Sequence, residues 1–256
     1  MIYVISDTHA CTKVLVKAYT LFKANYVAGD KLVIAGDIVD RGLDNIGSLV
    51  YALELTQKDP NVIFLKGNHE ELLIEFFRSG YFHEDNGSKP LIKDLFAYAG
   101  LDNNFIEDLT QGYNGLQDPL LKNTDIQRLI GFLQKLEVIF VQDKLIITHA
   151  GYDFKHWSGE PLVTDPDFNM NAGLEYLVGA KNTTDYFSVS GHIPTTIVRR
   201  VLSEHLVDYQ VLDGIVITSD NKLFIDLDIH TSGRQSFLRI DSKNMYNKDV
   251  LFLNNQ

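Results

Sequence analysis

Three short apolar runs constrain this chain most. Ile2–Ile5, Leu32–Ile34 and Val62–Leu65 are rich in β-branched, leucine and aromatic side chains, the composition of buried strands. Each stops abruptly in a polar cluster. The first ends in Ser6-Asp7-Thr8-His9 and the second in Gly36-Asp37-Ile38-Val39-Asp40-Arg41-Gly42. The third ends in Lys66-Gly67-Asn68-His69-Glu70. Helical patterns lie between them. Val14, Leu15, Ala18, Tyr19, Leu21, Phe22 and Tyr26 recur at helical spacing. Asp44 is placed to cap a second helix through Ile46, Leu49, Val50, Leu53 and Leu55, which Asp59-Pro60 breaks. Alternating strands and helices predict an open α/β arrangement, in which ligands gather at the carboxyl ends of the strands.

The pattern then changes. Between residues 71 and about 140, helical periodicity appears at Glu71–Phe77, Leu91–Tyr98 and Asp125–Leu136. Thr124-Asp125-Ile126-Gln127 has the form of a capping box. Turn-rich stretches (Ser79-Gly80, Asn86-Gly87-Ser88, Gly112–Pro119) separate them. This predicts a helical insertion laid over the sheet as a cap, with Tyr81, Phe82, His83 and Tyr113 packing it. Leu145–Ile147 is a further strand, ending at Thr148-His149-Ala150-Gly151. Phe187–Val189 is another, ending at Ser190-Gly191-His192. The span 152–186 is polar, with one short helical pattern at Leu174–Val178. Thr196–Leu202, Gly214–Thr218, Lys222–Leu227 and Phe237–Ile240 are expected to form a second, mostly antiparallel sheet, with Arg199 and Arg200 on a strand.

Composition narrows the partners. The formal net charge of −11 argues against a nucleic-acid backbone or an anionic membrane surface. With one cysteine, Cys11, no intrachain disulfide can form; a packing role is expected for it. The amino terminus has no basic region of a signal peptide, and no apolar run is long enough to span a bilayer. A cytoplasmic chain of one domain, residues 1–256, is expected.

The strand ends supply Asp7, His9, Asp37, Asp40, Arg41, Asn68, His69, His149 and His192. Imidazole with carboxylate suits manganese, iron or zinc, and the lack of cysteine argues against a structural zinc site. The donors exceed what one four-coordinate ion uses and suffice for two, an arrangement that commonly serves in-line phosphoryl displacement.

As an ordered set, Asp7-x-His9, Gly36-Asp37-x-x-Asp40-Arg41-Gly42, Gly67-Asn68-His69-Glu70, His149-x-Gly151 and Gly191-His192 resemble the motifs of the calcineurin-like metallophosphoesterases. The Asp-Arg-Gly and His-Glu extensions resemble the phosphoprotein phosphatase branch, especially its compact bacterial and phage serine/threonine phosphatases. Symmetrical diadenosine tetraphosphate hydrolases share the same motifs. The resemblance implies an α/β (α+β) fold of two stacked mixed β-sheets flanked by helices. It also implies two divalent ions, manganese first, with iron or zinc as alternatives. Asp7, His9 and Asp37 would hold one ion; Asp37, Asn68, His149 and His192 would hold the other. A metal-bridging hydroxide would attack in line. His69 would protonate the leaving alkoxide, Asp40 would orient His69, and Arg41 would clamp the phosphate.

Ser6, Ala10 and Ala150 stand where the family usually has glycine, small-for-small exchanges that leave the ligands in place. A larger departure is the lack of any arginine between residues 149 and 192, where a second phosphate-binding arginine is expected. Lys155 and Lys181 are the lysines there, and Arg234 is the expected auxiliary, binding substrate with Arg41 and Asn68. His83, His156, His205 and His230 are expected to be ordinary core histidines, and Glu70 a capping residue. The leading activity is a serine/threonine protein phosphatase and the alternative a dinucleoside polyphosphate hydrolase. The substrate is thus a phosphorylated protein or a small phosphorylated nucleotide. A metal-binding scaffold without turnover is the third reading.

Overall fold

The computed structural model describes residues 1–82, 87–108, 115–173, 176 and 178–255. His83, Tyr113 and most of the Leu174–Val178 pattern lie outside these residues. The first run is β1 (Ile2–Ile5), followed by α1 (Thr12–Asn25), β2 (Lys31–Ala35), α2 (Asn45–Lys58) and β3 (Val62–Leu65). Three helices follow, α3 (Asn68–Ser79), α4 (Ser88–Tyr98) and α5 (Thr124–Leu133). Next come β4 (Ile139–Gln142), β5 (Leu145–Thr148), the short α6 (Pro166–Asn171), β6 (Phe187–Ser190) and α7 (Thr195–Glu204). The chain ends in β7 (Tyr209–Leu212), β8 (Ile215–Thr218), β9 (Lys222–Phe224), β10 (Arg234–Asp241) and β11 (Asn244–Asn254).

The strands form two mixed sheets, ordered β11-β10-β1-β2-β3 and β4-β5-β6-β9-β8-β7. β1, β2 and β3 are parallel, as are β5, β6 and β9. Alternation along the strands explains the layers. Ile2, Val4, Val33 and Ala35 pack with Leu145, Ile147, Val189 and Leu223 in a dry core between the sheets. Tyr3, Ile5, Leu32 and Ile34, pointing the other way, pack under apolar residues of α1 to α5. Ile146, Val216 and Phe224 lie on the far face of the second sheet, against Val198, Val201 and Leu202 of α7. The result is two stacked sheets with helices outside both.

Several expectations are corrected. Thr196–Leu202 lies in helix α7, so Arg199 and Arg200 are helical. Its β-branched residues mimic a strand, but Thr195, Val198, Val201 and Leu202 bury one face at helical spacing. Phe237–Ile240 lies in β10, antiparallel to β1 in the first sheet, and the centre of the second sheet is parallel. α5 is capped by Asn123, whose side chain accepts from the amides of Asp125 and Ile126. Edge strands β4 and β11 are additions to the expected set; their apolar runs, Val138–Val141 and Val250–Leu253, stand beside no metal-donor cluster, and β4 is half-buried throughout. α3, α4 and α5 contribute to the core on the outer face of the first sheet, and Ser88 of α4 reaches the polar strand ends. His156 and His205 are exposed.

Candidate metal centre

The strand ends meet because their loops interlock. The amides of Asp7, His9 and Ala10 donate to the carbonyls of Gly36, Asp37 and Ile38 at 3.1, 2.9 and 2.8 Å. Glu70 secures the other side. Its buried carboxylate accepts from the amides of Asp37, Ile38 and Gly67, each at 2.8 Å. This matches the capping role expected for it and extends it to a second loop. Asp7, His9, Asp37, Asp40, Arg41 and His192 all adopt left-handed φ values between 41° and 68°. Such strain in non-glycine residues concentrates where surrounding structure forces side chains to converge.

Close approach also dictates the glycines. A Cβ on Gly191 would overlap the Asp7 carboxylate and Ser6, and one on Gly67 would overlap Asp37. Gly191→Ala is therefore expected to cost about 2 kcal/mol or more, read as a lowered urea midpoint at unchanged m-value.

Asp37 is the centre of the cluster. One donor group combines Asp37 with His9 and His69, and another combines it with His149 and His192; within each, the donor atoms lie within 4.8 Å of one another. His149 Nε2 is 3.4 Å from Asp37 Oδ2, 3.0 Å from Asn68 Oδ1 and 3.1 Å from His192 Nδ1. His192 Nδ1 is 3.1 Å from the same Asn68 oxygen. Two ring nitrogens, an amide oxygen and a carboxylate thus converge on one point. Carbonyls behind the rings set their orientation. His149 Nδ1 donates to Ala35 O at 2.8 Å and His9 Nδ1 to Val39 O at 2.9 Å, leaving both Nε2 atoms facing Asp37. A carbonyl behind a ligating imidazole is the usual support of a metal-binding histidine.

The electrostatics ask for positive charge. Burial disfavours a charged His149, but Asp37 and Asp7 outweigh it and push its pKa up to about 10. Burial and the neighbouring His149 hold His192 down to about 3. Burial, with Arg41 and His69, holds His9 near the same value. Burial opposes charge on Asp37, yet His149, His69 and His9 keep it well below the usual carboxylate range. Burial, Asp226 and Asp37 push Asp7 well above that range. His9 and His192 are thus held neutral, His149 keeps a proton that an incoming cation would displace, and the ionised Asp37 stands between them, a donor set that fits divalent cations.

Asp7 lies slightly apart, its two carboxylate oxygens accepting from the His192 amide at 3.0 Å. His69 Nδ1 is 2.7 Å from Asp40 Oδ2, both residues being about 1% exposed. The other ring nitrogen, Nε2, stands 3.8 Å from Asp37 Oδ2. Burial works against a charged His69, but Asp37 and Asp40 prevail and raise its pKa. Arg41 Nη1 is 3.1 Å from His9 Nε2. Arg234 is not brought to this cluster. It opens β10 with its guanidinium 4.8 Å from the centre of the Phe252 ring, because the β10–β11 hairpin turns it toward that strand.

Two donor groups share the Asp37 carboxylate at the strand ends of stacked sheets; the first joins His9 and Asp37 to His69, where Asp7 was expected. The profile of the calcineurin-like phosphoesterases matches residues 1–218. The chain belongs to the calcineurin-like phosphoesterase family. No curated protein matches its sequence. Solved structures share the fold at low identity. A putative diadenosine tetraphosphatase is 16% identical with a TM-score of 0.53, covering 99% of this chain and 92% of its own. A Saccharomyces cerevisiae protein serine/threonine phosphatase with similarity to human phosphatase PP5 is 12% identical at TM-score 0.53, with coverage of 99% and 79%. The cold-active protein-tyrosine phosphatase of a psychrophilic Shewanella is 17% identical at 0.52, with coverage of 98% and 80%. Among the described residues, no helix of this phosphoesterase is long and apolar enough to cross a membrane.

Three residues of the phosphoesterase site escaped the motifs. His230 reaches its edge: its ring centre is 5.7 Å from that of His9. Asp226 is buried, accepts from the Asp228 amide at 2.8 Å, and is pushed up to about 6 by burial. Gln235 ties the second turn of chain to the first, donating to Ser6 O at 2.9 Å. None stands in a recognisable spacing; only the fold of the last strands delivers them.

Proposed function

We propose that this chain is a divalent-metal-dependent phosphoric ester hydrolase that removes phosphate from phosphoserine and phosphothreonine in proteins. The observation that carries this reading is the buried His69–Asp40 pair, held beside a carboxylate shared by two metal-donor groups. Asp7, His9 and Asp37 would hold one ion, and Asp37, Asn68, His149 and His192 the other. Manganese suits this oxygen and nitrogen set, as do iron and zinc. Such ions supply an activated water and offset phosphate charge. The chain's own groups do the rest. Arg41 offers a forked donor to the phosphate oxygens, with Asn68 beside it. His69 gives its proton to the leaving alkoxide oxygen, and Asp40 fixes the ring through Nδ1. An alkoxide is a poor leaving group, so a held acid favours esters of serine and threonine.

A cavity of about 420 Å³ favours a second reading. It adjoins Arg41 and is also lined by Lys13, Asp44 and His230. A second cation beside the clamp suits a substrate with more than one phosphate, such as a dinucleoside polyphosphate. The deciding assay presents manganese-loaded enzyme with a phosphoserine/phosphothreonine peptide, diadenosine tetraphosphate and an aryl phosphate. The peptide is expected to give the highest kcat/KM; inactivity on all three with manganese, iron and zinc would make the chain a scaffold. If the nucleotide is preferred, Lys13→Glu should lower its kcat/KM relative to the aryl phosphate about tenfold, a loss of roughly 1.4 kcal/mol.

A further inference from the structure

A cavity of about 550 Å³ lies outside the metal centre. Its lining comes from the second half of α2, the strand β3 and the end of α5. Leu53, Val62, Phe64 and Phe132 make it largely apolar. The volume is that of a small-molecule site, where apolar walls are joined by a few polar groups.

Two features point to an occupant. The first is charge. Arg128 and Lys135 line this cavity, and none of its described lining residues is acidic, in a chain of net charge −11. Arg128 Nη1 is 3.5 Å from Asp125, an exposed pair that holds the guanidinium only weakly. The second is Gly131. It sits inside α5, where glycine costs about 1 kcal/mol relative to alanine. Yet a Cβ there would meet no atom within 4 Å. Packing within the chain does not require this glycine; the space it leaves belongs to the cavity it lines.

We propose that this cavity binds a small amphipathic anion, an aromatic or acyl body with one carboxylate or sulfonate head. The apolar body lies against Val62, Phe64 and Phe132, beside Gly131. The head meets Arg128 and Lys135. The assignment uses none of the metal donors and stands apart from the substrate reading.

Anilinonaphthalene sulfonate, an aromatic sulfonate that fluoresces in apolar surroundings, is the probe, titrated into the metal-loaded protein. Gly131→Leu fills the cavity with a better helix former, so thermal melting should show a folded protein of no lower Tm. Its affinity for the probe should fall at least about tenfold, and laurate should displace the probe from the wild type. Arg128→Glu with Lys135→Glu should weaken the probe by a similar factor without changing the binding of uncharged phenylnaphthylamine. Probe affinity within twofold of wild type in Gly131→Leu would overturn the site. Equal response of charged and uncharged probes to the charge reversal would overturn the anion assignment. Tighter displacement by an acidic peptide than by laurate would overturn the small-molecule class.

Discussion

His69→Asn is expected to lower kcat on a phosphoserine peptide by about 100- to 10,000-fold, the usual loss for a held general acid. An aryl phosphate, whose leaving group departs without a proton, should lose far less. The difference between the two substrates is the diagnostic, because a merely structural role would depress both alike. The pH profile gives a second readout. His69 must be protonated to act, and the Asp40 carboxylate 2.7 Å from Nδ1 favours the charged ring against burial, a support that remains when ions offset the charge of Asp37. Activity on the peptide should therefore fall on the alkaline side as the ring loses its proton. Asp40→Asn removes this anion, so the falling limb should move to lower pH while the substrate order is kept. Asp40 is thus a positioning residue, acting through the ring it touches at 2.7 Å. Equal losses on peptide and aryl phosphate, with an unmoved limb in Asp40→Asn, would remove His69 from the acid role.

That the strand-end donors converge was legible in the sequence for a physical reason. Asp7, Asp37, Asn68, His149 and His192 each follow a buried apolar run directly, so strand end and donor are adjacent in sequence. Carboxyl ends of parallel strands point the same way, which is enough to bring them together. Residues that reach the site from elsewhere had no such marker. His230 arrives on a short turn after Asp228, itself at φ 52°. Arg234 shows the converse failure. Its place near the last turn suggested the site, but strand pairing with β11 fixed its direction toward Phe252. The strand expected at Thr196–Leu202 failed because β-branched composition outweighed spacing. Val198, Val201 and Leu202 carry a helical period that the alternation of a strand would not produce. Edge strands β4 and β11 escaped although each carries an apolar run, Val138–Val141 and Val250–Leu253, because neither run ends in a metal-donor cluster like those after β1 to β3.

Asp37→Asn carries the largest expected effect, because Asp37 alone belongs to both donor groups. Removing its charge should cost binding of two ions, whereas His192→Ala should cost one. Metal content after dialysis against limiting manganese is the direct test: wild type near two ions per chain, His192→Ala near one, Asp37→Asn near none. Stability gives an activity-independent check. An ion at about 100 times its Kd stabilises a folded chain by about 2.7 kcal/mol, so the wild-type Tm should rise with manganese and that of Asp37→Asn should not. Activity should fall by about a thousandfold or more, since both the activated water and the charge offset on the phosphate depend on the ions. Without added metal the substitution should also be felt. Asp37 is the main partner holding His149 near 10 against burial, so an amide there lets His149 lose its proton and leaves its neutral ring facing an uncharged neighbour. The metal-free Tm of Asp37→Asn is thus expected to shift with pH differently from wild type in the range above neutrality. Retention of two ions by Asp37→Asn, or identical metal loss in His192→Ala, would mean that the two donor groups are not joined through this carboxylate. The shared-ligand arrangement would then have to pass to Asp7, which crowding by Asp226 and Asp37 holds well above the usual carboxylate range and which is the least suited of the acids to carry it.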